Sequence, residues 1–320
     1  MQIRRLGNSG LRVSRMALGT MGWARDTDAD EAASQLVAFV DAGGTLVDTA
    51  DVYGEGETEE LLGGLLGDLV PREEIVLATK AVANRGTGPF GGGASRGSLL
   101  GALDGSLRRL GVDHIDLWQL HAWDPNVPLE ETLSAMDYAL RSGKVRYIGV
   151  ANYTGWQLAT AACATVPIVS TQHEYSLAER GIEREVIPAA EYHGIGLLPW
   201  APLGRGVLTG KYRTGTPADS RGADPEYAGY VDRHRTERVA RIVEAITTAA
   251  DGLGTSPLAV ALAWVRDRPG VVAPVVGARD TAQLTGSLAA EDLTLPAAIR
   301  AALDDVSEPG SGYPERWPHS

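Results

Sequence analysis

Residues 115–150 read IDLWQLHAWDPNVPLEETLSAMDYALRSGKVRYIGV. Two short apolar runs, 115–120 and 145–150, flank a longer segment whose apolar residues recur at helical spacing. Pro128 stands at the start of that segment, where its missing N–H is tolerated, and Gly143 follows its end, where a left-handed residue is favoured. The stretch therefore predicts a strand, a helix over 129–142 and a second strand.

The same alternation extends along the chain in both directions. Strands are predicted at 17–18, 45–48, 75–79, 115–120, 145–150, 168–172, 196–199 and 271–275. Helices are predicted at 29–42, 58–66, 95–110, 129–142, 156–164, 183–193, 236–252 and 281–289, and Gly111, Gly143, Gly194 and Gly252 are expected to end four of them. Eight βα units with no linker between them predict an α/β fold, a single (β/α)8 TIM barrel domain over residues 1–320. The alternative is a doubly wound open sheet, which seldom has eight regular repeats.

Segments outside the repeats predict a hairpin and three long loops. Residues 3–6 and 11–13 flank the turn residues 7–10, which predicts an N-terminal β-hairpin covering the bottom of the barrel. Long loops at 84–93 and 202–230 and a tail from 307 are expected at the C-terminal face, where barrels build active sites. Residues 86–91 match Gly-x-Gly-x-x-Gly, but no helix starts there, so a Rossmann phosphate loop is not indicated.

Composition restricts the classes of partner. Of the 320 residues, 44% are hydrophobic and 22% charged, and the formal charge is −12, which argues against nucleic-acid or anionic-membrane binding. No apolar run reaches the length of a membrane span and no signal peptide is visible, so we expect a cytoplasmic protein. The single cysteine, Cys163, excludes an internal disulfide and a Cys-based metal cage; its alanine neighbours predict a small buried residue, and we expect no metal site.

Polar residues follow three consecutive predicted strands. Asp48, Lys80 and His121 each stand at a strand end, and Tyr53 lies five residues beyond Asp48. In a barrel, these side chains converge on one mouth. An ammonium beside a phenol lowers its pKa from about 10, a carboxylate keeps the ammonium charged, and an imidazole can donate a hydrogen bond to a substrate oxygen. Each residue alone could be a surface aromatic, a helix cap or a core histidine, but only three lysines occur in the chain, Lys80, Lys144 and Lys211.

The sequence resembles the aldo-keto reductases from about residue 4 to residue 290. The matching stretches are LGTM (18–21), DTADVYG (48–54), ATK (78–80), DLWQLH (116–121), GKVRYIGV (143–150), PWAPL (199–203), LTGKY (208–212) and PVVGAR (274–279). The pattern is most similar to the bacterial branch near the potassium-channel β subunits. Departures from the family pattern are Ala151 and Ala201, where serine is usual, and Gly286 and Ser287 near the adenine position.

The resemblance implies a NADPH-dependent carbonyl reductase with the catalytic tetrad Asp48, Tyr53, Lys80 and His121, in which Tyr53 donates the proton. It also implies NADP(H) bound in extended form across the barrel mouth. The cofactor-binding residues it implies are Gly19, Thr20, Met21, Asp48, Asn152, Gln172, Trp200, Pro202, Leu203, Gly206, Lys211, Arg221, Gly277, Arg279 and Gln283. Among these, Arg279 at the end of the eighth strand is expected to bind the 2′-phosphate.

The resemblance implies a small-molecule carbonyl substrate, and the sequence specifies neither which compound it is nor the oligomeric state. Trp23, Tyr53, His121 and Trp123 are expected to contact it, with Trp317 of the tail as a further wall residue. Two other functions are considered. One is a cofactor-binding regulatory or redox-sensing subunit with slow turnover. The other is a sugar-phosphate lyase or isomerase using Arg205, Lys211 and Arg279, in which the tetrad would have no role.

Overall fold

The computed structural model describes residues 1–83, 88, 90–310 and 312. Within these residues, ten β-strands form two sheets. The strands are β1 Ile3–Arg5, β2 Arg12–Ser14, β3 Ala17–Gly19, β4 Leu46–Asp48, β5 Val76–Ala81, β6 Ile115–Leu120, β7 Val145–Ala151, β8 Ile168–Glu174, β9 Gly196–Trp200 and β10 Val275–Val276. The α-helices are α1 Ala29–Asp41, α2 Glu57–Leu65, α3 Arg96–Leu110, α4 Leu129–Arg141, α5 Gly155–Ala162, α6 Val186–His193, α7 Ala228–Asp232, α8 Glu237–Leu253, α9 Pro257–Arg266, α10 Thr281–Leu288 and α11 Ala297–Val306.

Eight parallel strands form the barrel. Their order is β10-β3-β4-β5-β6-β7-β8-β9, and a single bridge between Leu197 of β9 and Val271 joins the last strand to the segment before β10. Helices lie between the strands, as the sequence predicts for a (β/α)8 TIM barrel. All strands run the same way, so their carboxyl ends meet at one face, and the residues that follow them can form one site.

The predicted N-terminal hairpin is present and closes the opposite end of the barrel. β1 and β2 pair antiparallel, with Ile3 opposite Ser14. Leu6 and Val13 are buried and pack with apolar residues from the barrel strands, including Leu46 and Leu117. Gly7 makes the turn with φ +55°, and a Cβ atom there would come within 2.5 Å of the Val169 carbonyl oxygen. The hairpin turn is therefore pressed directly against the bottom of the sheet.

Three details differ from the sequence predictions. The eighth strand is Val275–Val276 and not 271–275, because Pro274 has no N–H to donate and the ladder with β3 begins after it. Helix α8 continues through Gly252 to Leu253, and Gly254, with φ +63°, ends it. Cys163 is exposed rather than buried, because α5 ends at Ala162, just before it.

Two helices of ten residues, α9 and α11, were not predicted. Helix α9 is apolar almost all round and eight of its residues are buried, so its sequence lacks the one-sided periodicity of a surface helix. Ser256 caps it and Pro257 occupies its first turn. Among the described residues, no helix combines the length and apolar character needed to cross a membrane.

Candidate active site

The four polar residues expected at the strand ends come together at the carboxyl face of the barrel. Asp48 is the last residue of β4, Lys80 lies near the end of β5, and His121 follows β6 directly. The register of the parallel strands aligns these ends, since Asp48 is opposite Ala78, two residues before Lys80. Tyr53 begins a short 3-10 turn that follows β4 and returns over the strand ends. We call these four residues the tetrad cluster.

Lys80 and Asp48 form a buried ion pair. The Lys80 ammonium is fully buried, lies 2.6 Å from Asp48 Oδ2 and donates to the Thr49 carbonyl oxygen at 3.0 Å. Burial by itself would lower the pKa of Lys80, but attraction to Asp48 and Tyr53 outweighs it and raises that pKa above its usual value. A permanent positive charge is therefore held beneath the cleft.

The second carboxylate oxygen of Asp48 accepts two amide hydrogen bonds. Gln172 Nε2 donates to Oδ1 at 2.9 Å and Gln119 Nε2 donates at 3.3 Å. Gln172 was expected to bind cofactor, whereas Gln119 was not singled out from the sequence. Its signal was a polar side chain among the apolar residues 117–120, where the strand is buried. The two amides fix the plane of the carboxylate that faces Lys80.

Tyr53 lines the cleft and is only partly buried. The Lys80 Nζ atom lies 5.3 Å from the centroid of its ring. Burial raises the pKa of the Tyr53 phenol, while the Lys80 ammonium opposes that rise. The lowering by the ammonium that the sequence predicts is present, but burial is the larger effect, so the pKa of Tyr53 is raised overall. Tyr53 is a neutral phenol with a cation positioned to stabilise its phenolate.

His121 is a neutral imidazole beside the phenol. Its ring centroid lies 6.0 Å from that of Tyr53, with the two rings nearly perpendicular. Burial and, to a lesser extent, the Lys80 ammonium lower the pKa of His121 to about 3. Within the described part of the chain its Nδ1 atom has no hydrogen-bond partner. A neutral imidazole here can donate one hydrogen bond without adding charge.

A cleft of about 680 Å³ runs from the tetrad cluster across the barrel mouth. Its wall includes all the residues expected to bind the cofactor: Gly19, Thr20, Met21, Asp48, Asn152, Gln172, Trp200, Pro202, Leu203, Gly206, Lys211, Arg221, Gly277, Arg279 and Gln283. These residues come from six strand ends with the segments that follow them, and they form one continuous surface. Ser287, noted as a departure from the family pattern, also lines it and donates its hydroxyl to the Gln283 carbonyl oxygen.

Asn152 and Trp200 are fixed to each other at the centre of the cleft. Asn152 has φ +59°, and its side-chain oxygen accepts the indole N–H of Trp200 at 3.1 Å. Its Nδ2 donates to the His121 carbonyl oxygen at 2.9 Å. The positive φ turns this side chain back over the strand ends, as asparagine does more readily than most residues. The Trp200 ring is thereby held as a flat apolar surface in the cleft.

Three cations lie along the far end of the cleft, and we call Lys211, Arg221 and Arg279 the cationic rim. Within the described ranges, Lys211 and Arg221 have no carboxylate partner, and Arg279 has only Asp219 at 3.5 Å. That Asp219 side chain is 82% exposed. In a chain of net charge −12, three weakly compensated cations form a local anion-attracting surface.

Trp23 and Trp123, which were expected in the substrate wall, do not line the cleft. Trp23 is fully buried, and its indole N–H donates to Gln35 Oε1 at 3.0 Å, because the loop after β3 turns inward against α1. Trp123 packs edge-on against Tyr153 and Trp156, with ring centroids 5.3 and 5.4 Å away, and does not line the cleft. Trp317 lies outside the described residues. Tyr230, which the sequence analysis did not single out, lines the cleft.

Comparisons with known proteins give the family that this chain resembles. The model of the aldo/keto reductase family matches residues 15–308. The chain is 36% identical to "Uncharacterized oxidoreductase YrpG" of Bacillus subtilis (strain 168), covering 99% of both chains. It is 35% identical to "Probable voltage-gated potassium channel subunit beta" of Oryza sativa subsp. japonica, covering 99% of this chain and 98% of the relative.

A third relative carries a specific activity in its name. The chain is 32% identical to "L-glyceraldehyde 3-phosphate reductase" of Escherichia coli (strain K12), covering 95% of this chain and 92% of that protein. The family match, the extended barrel-mouth cleft and these oxidoreductase relatives support an activity of the carbonyl reductase type. The chain belongs to the aldo/keto reductase family.

Proposed function

We propose that this protein is a NADPH-dependent reductase of aldehydes or ketones in which Tyr53 donates the proton. The observation that carries the proposal is the position of the Tyr53 phenol, on the cleft wall between a buried Lys80–Asp48 ion pair and a neutral His121. A proton-transfer site needs a weak acid, a fixed cation that stabilises its conjugate base, and a hydrogen-bond donor.

The residues of the cleft fit a nicotinamide dinucleotide phosphate. The Trp200 ring offers a flat apolar face for the nicotinamide, with Asn152 and Gln172 beside it for the carboxamide. Leu203, Gly206 and Lys211 would lie along the pyrophosphate, and Gly277, Arg279 and Gln283 would hold the adenosine end. The weakly compensated cationic rim suits a ligand that carries several phosphate charges.

When bound, NADPH supplies the hydride that reduces the carbonyl carbon. Tyr53 gives its proton to the carbonyl oxygen, and the Lys80 ammonium stabilises the phenolate that remains. Asp48, oriented by Gln119 and Gln172, keeps that ammonium charged and in place. His121, neutral at physiological pH, donates a hydrogen bond to the same oxygen and so orients the carbonyl. The same groups serve alcohol oxidation in reverse.

A second function has one specific observation in its favour. A relative named as a probable potassium channel β subunit is 35% identical over nearly the whole of both chains. This supports a cofactor-binding regulatory or redox-sensing subunit with slow turnover as the alternative. Such a subunit would use the same cleft, so the geometry of the tetrad cluster is compatible with either function.

Turnover distinguishes the two. Purified protein is mixed with NADPH and a panel of small carbonyl compounds that includes aromatic aldehydes, ketones, aldoses and ketoses. Sustained NADPH loss at about 1 s⁻¹ or faster on at least one compound is the result expected of a reductase. Tight NADPH binding with no more than single-turnover oxidation across the panel would favour the sensing subunit, and absence of NADPH binding would exclude both.

A further inference from the structure

Tyr230 stands on the cleft wall near the tetrad cluster. It lies in α7, within the long loop that connects β9 to α8, and it lines the same cleft as Tyr53 and Trp200. Burial raises the pKa of the Tyr230 phenol; the nearby Arg205 opposes that rise, whereas Glu174 and Tyr53 add to it. The ring is therefore a neutral aromatic surface within electrostatic range of the proposed proton donor.

The Arg205 guanidinium fixes the orientation of this ring. Its central carbon lies 3.2 Å from the centroid of Tyr230 and 5.6 Å from that of Trp200. Its Nη1 atom donates to the Tyr230 carbonyl oxygen at 2.7 Å. Arg205 thus connects the backbone and the ring of Tyr230 to the Trp200 side of the cleft. A tyrosine ring that stacks on a guanidinium has less freedom to rotate than the ring of a loop tyrosine without such a contact.

Glu174 in turn anchors Arg205. Its two carboxylate oxygens accept Arg205 Nε at 3.0 Å and Nη2 at 2.6 Å, and His234 Nε2 lies 2.8 Å from the same carboxylate. The carboxylate comes from the end of β8, so the barrel itself holds the loop. Both carboxylate oxygens of Glu174 bind the Arg205 guanidinium and neutralise its charge. The part of the cleft beside Arg205 is therefore not an anion site of the kind formed by the cationic rim.

We propose that Tyr230 is a specificity-determining residue that favours carbonyl substrates with a flat, apolar group next to the carbonyl, such as aromatic aldehydes, over small hydroxylated aldehydes. Arg205 and Glu174 are positioning residues that hold the ring. This inference rests on the proposed reductase function. A rigid aromatic ring offers a planar substrate a stacking surface with little entropy cost, whereas a short polyol leaves that surface unused.

The experiment compares benzaldehyde with glyceraldehyde, both with NADPH, in wild type, Tyr230→Ala and Tyr230→Phe. Tyr192→Ala is the matched control, since that tyrosine is 87% exposed and does not line the cleft. Tyr230→Ala should lower kcat/KM for benzaldehyde by roughly ten-fold, mostly through KM, because a stacked aromatic pair is worth about 0.5–1.5 kcal/mol beyond its buried area. Tyr230→Phe, which keeps the ring, should retain the preference.

Glu174→Gln tests the positioning residues. It removes the charge that holds Arg205 and should raise the benzaldehyde KM several-fold while kcat and the dissociation constant of NADPH stay near wild type. If kcat and NADPH affinity both fell, or if the melting temperature fell by a large amount, Glu174 would have a merely structural role. That result would overturn its part of the proposal.

The outcomes separate this inference from the proposed function. Wild type that reduces both aldehydes, with a benzaldehyde preference unchanged in Tyr230→Ala, would overturn the role of Tyr230 and leave the reductase intact. Wild type that turns over neither compound, nor any other carbonyl of the wider panel, would overturn the reductase and with it the substrate preference. A preference lost in Tyr230→Ala and retained in Tyr230→Phe and Tyr192→Ala supports the proposal.

Discussion

The tetrad cluster and the cationic rim lie in one cleft but are built in opposite ways. In the cluster, Lys80 is fully buried and its charge is matched by Asp48 at 2.6 Å. At the rim, Arg279 is paired only with a largely exposed Asp219 at 3.5 Å. Strand ends and the turn after β4 supply the cluster, whereas the loops after β9 and β10 supply the rim. A buried, matched set of charges suits bond-making, and a set of weakly matched charges suits capture of an anion from solution.

Tyr53→Phe is the change expected to damage the cluster most. It removes one hydroxyl and leaves the ring, the Lys80–Asp48 pair and the rim unchanged. General acid catalysis contributes about 10²–10⁴-fold, so the rate of hydride transfer in single turnover should fall by about that factor while NADPH affinity stays near wild type. Tyr192→Phe, on the surface, is the control. A variant with more than half of the wild-type rate would remove Tyr53 from the donor role.

Lys80→Met tests whether the stability of the protein depends on the buried ion pair of the cluster. It leaves the Asp48 carboxylate buried without a counter-ion, which should cost about 3–5 kcal/mol of unfolding free energy and abolish reduction at neutral pH. Lys144→Met is the matched control, because the Lys144–Asp104 pair is also 2.6 Å long but its side chains are 41% and 48% exposed. That control should lose at most about 1 kcal/mol in urea unfolding.

A double variant completes the test of the ion pair. Lys80→Met with Asp48→Asn removes both charges and should recover most of the lost stability without recovering activity. If Lys80→Met were as stable as Lys144→Met, the burial argument would be wrong. If it reduced carbonyls at a near-normal rate at neutral pH, the pairing of Lys80 with Tyr53 would be wrong.

The two regions also differ in how far the sequence predicted them. Asp48, Lys80 and His121 each stand at the end of a short β-branched or apolar run, so the alternation of these runs with helices predicted all three at one face of a barrel. The partners of Asp48 were harder to find, because Gln119 lies within a mostly apolar strand and only the closed barrel brings it to Asp48 at 3.3 Å.

The loop residues required the three-dimensional path of the chain. Tyr230 reaches the cleft because Arg205, at φ +59°, turns back and stacks beneath it, and no local pattern encodes that path. Trp23 was placed wrongly for a similar reason, since its loop folds inward to a hydrogen bond with Gln35. Helix α9 lacked a signal because a helix buried all round shows no periodicity.

Arg279→Ala tests the rim, where a smaller loss is expected. The two cofactors differ by the 2′-phosphate, and a charge-assisted contact to it is worth about 1.5–3 kcal/mol, so the preference for NADPH over NADH should fall by a factor of tens. Affinities follow from quenching of tryptophan fluorescence by each cofactor. Equal wild-type affinities for the two cofactors, or an unchanged ratio in the variant, would remove Arg279 from this role.

Asp219→Ala should act on the rim in the opposite direction and more weakly. An exposed ion pair is worth about 0.2–1 kcal/mol, so freeing Arg279 from Asp219 should tighten NADPH binding by no more than about five-fold. NADH binding should stay nearly constant, which makes it the internal control. Raising the salt concentration should reduce the gain, because exposed charges are screened. Weaker NADPH binding in this variant would instead make Asp219 a cofactor ligand.

The smallest expected effect is that of pH, which should change cofactor affinity at the rim but not the rate that depends on the tetrad cluster. Burial raises the pKa of Tyr53 and lowers that of His121 to about 3, and attraction to Asp48 raises that of Lys80, so none of these three groups changes protonation between pH 5 and 8. We expect the single-turnover rate with saturating NADPH to vary less than about two-fold over that range.

A phosphate monoester has a second pKa near 6, so affinity for NADPH at the rim should weaken as pH falls through 6, while affinity for NADH does not. An acid limb with a pKa between 5 and 8 in the rate itself would contradict a neutral, buried His121. Such a limb in NADPH affinity alone would place the titrating group at the rim, where the charges face water.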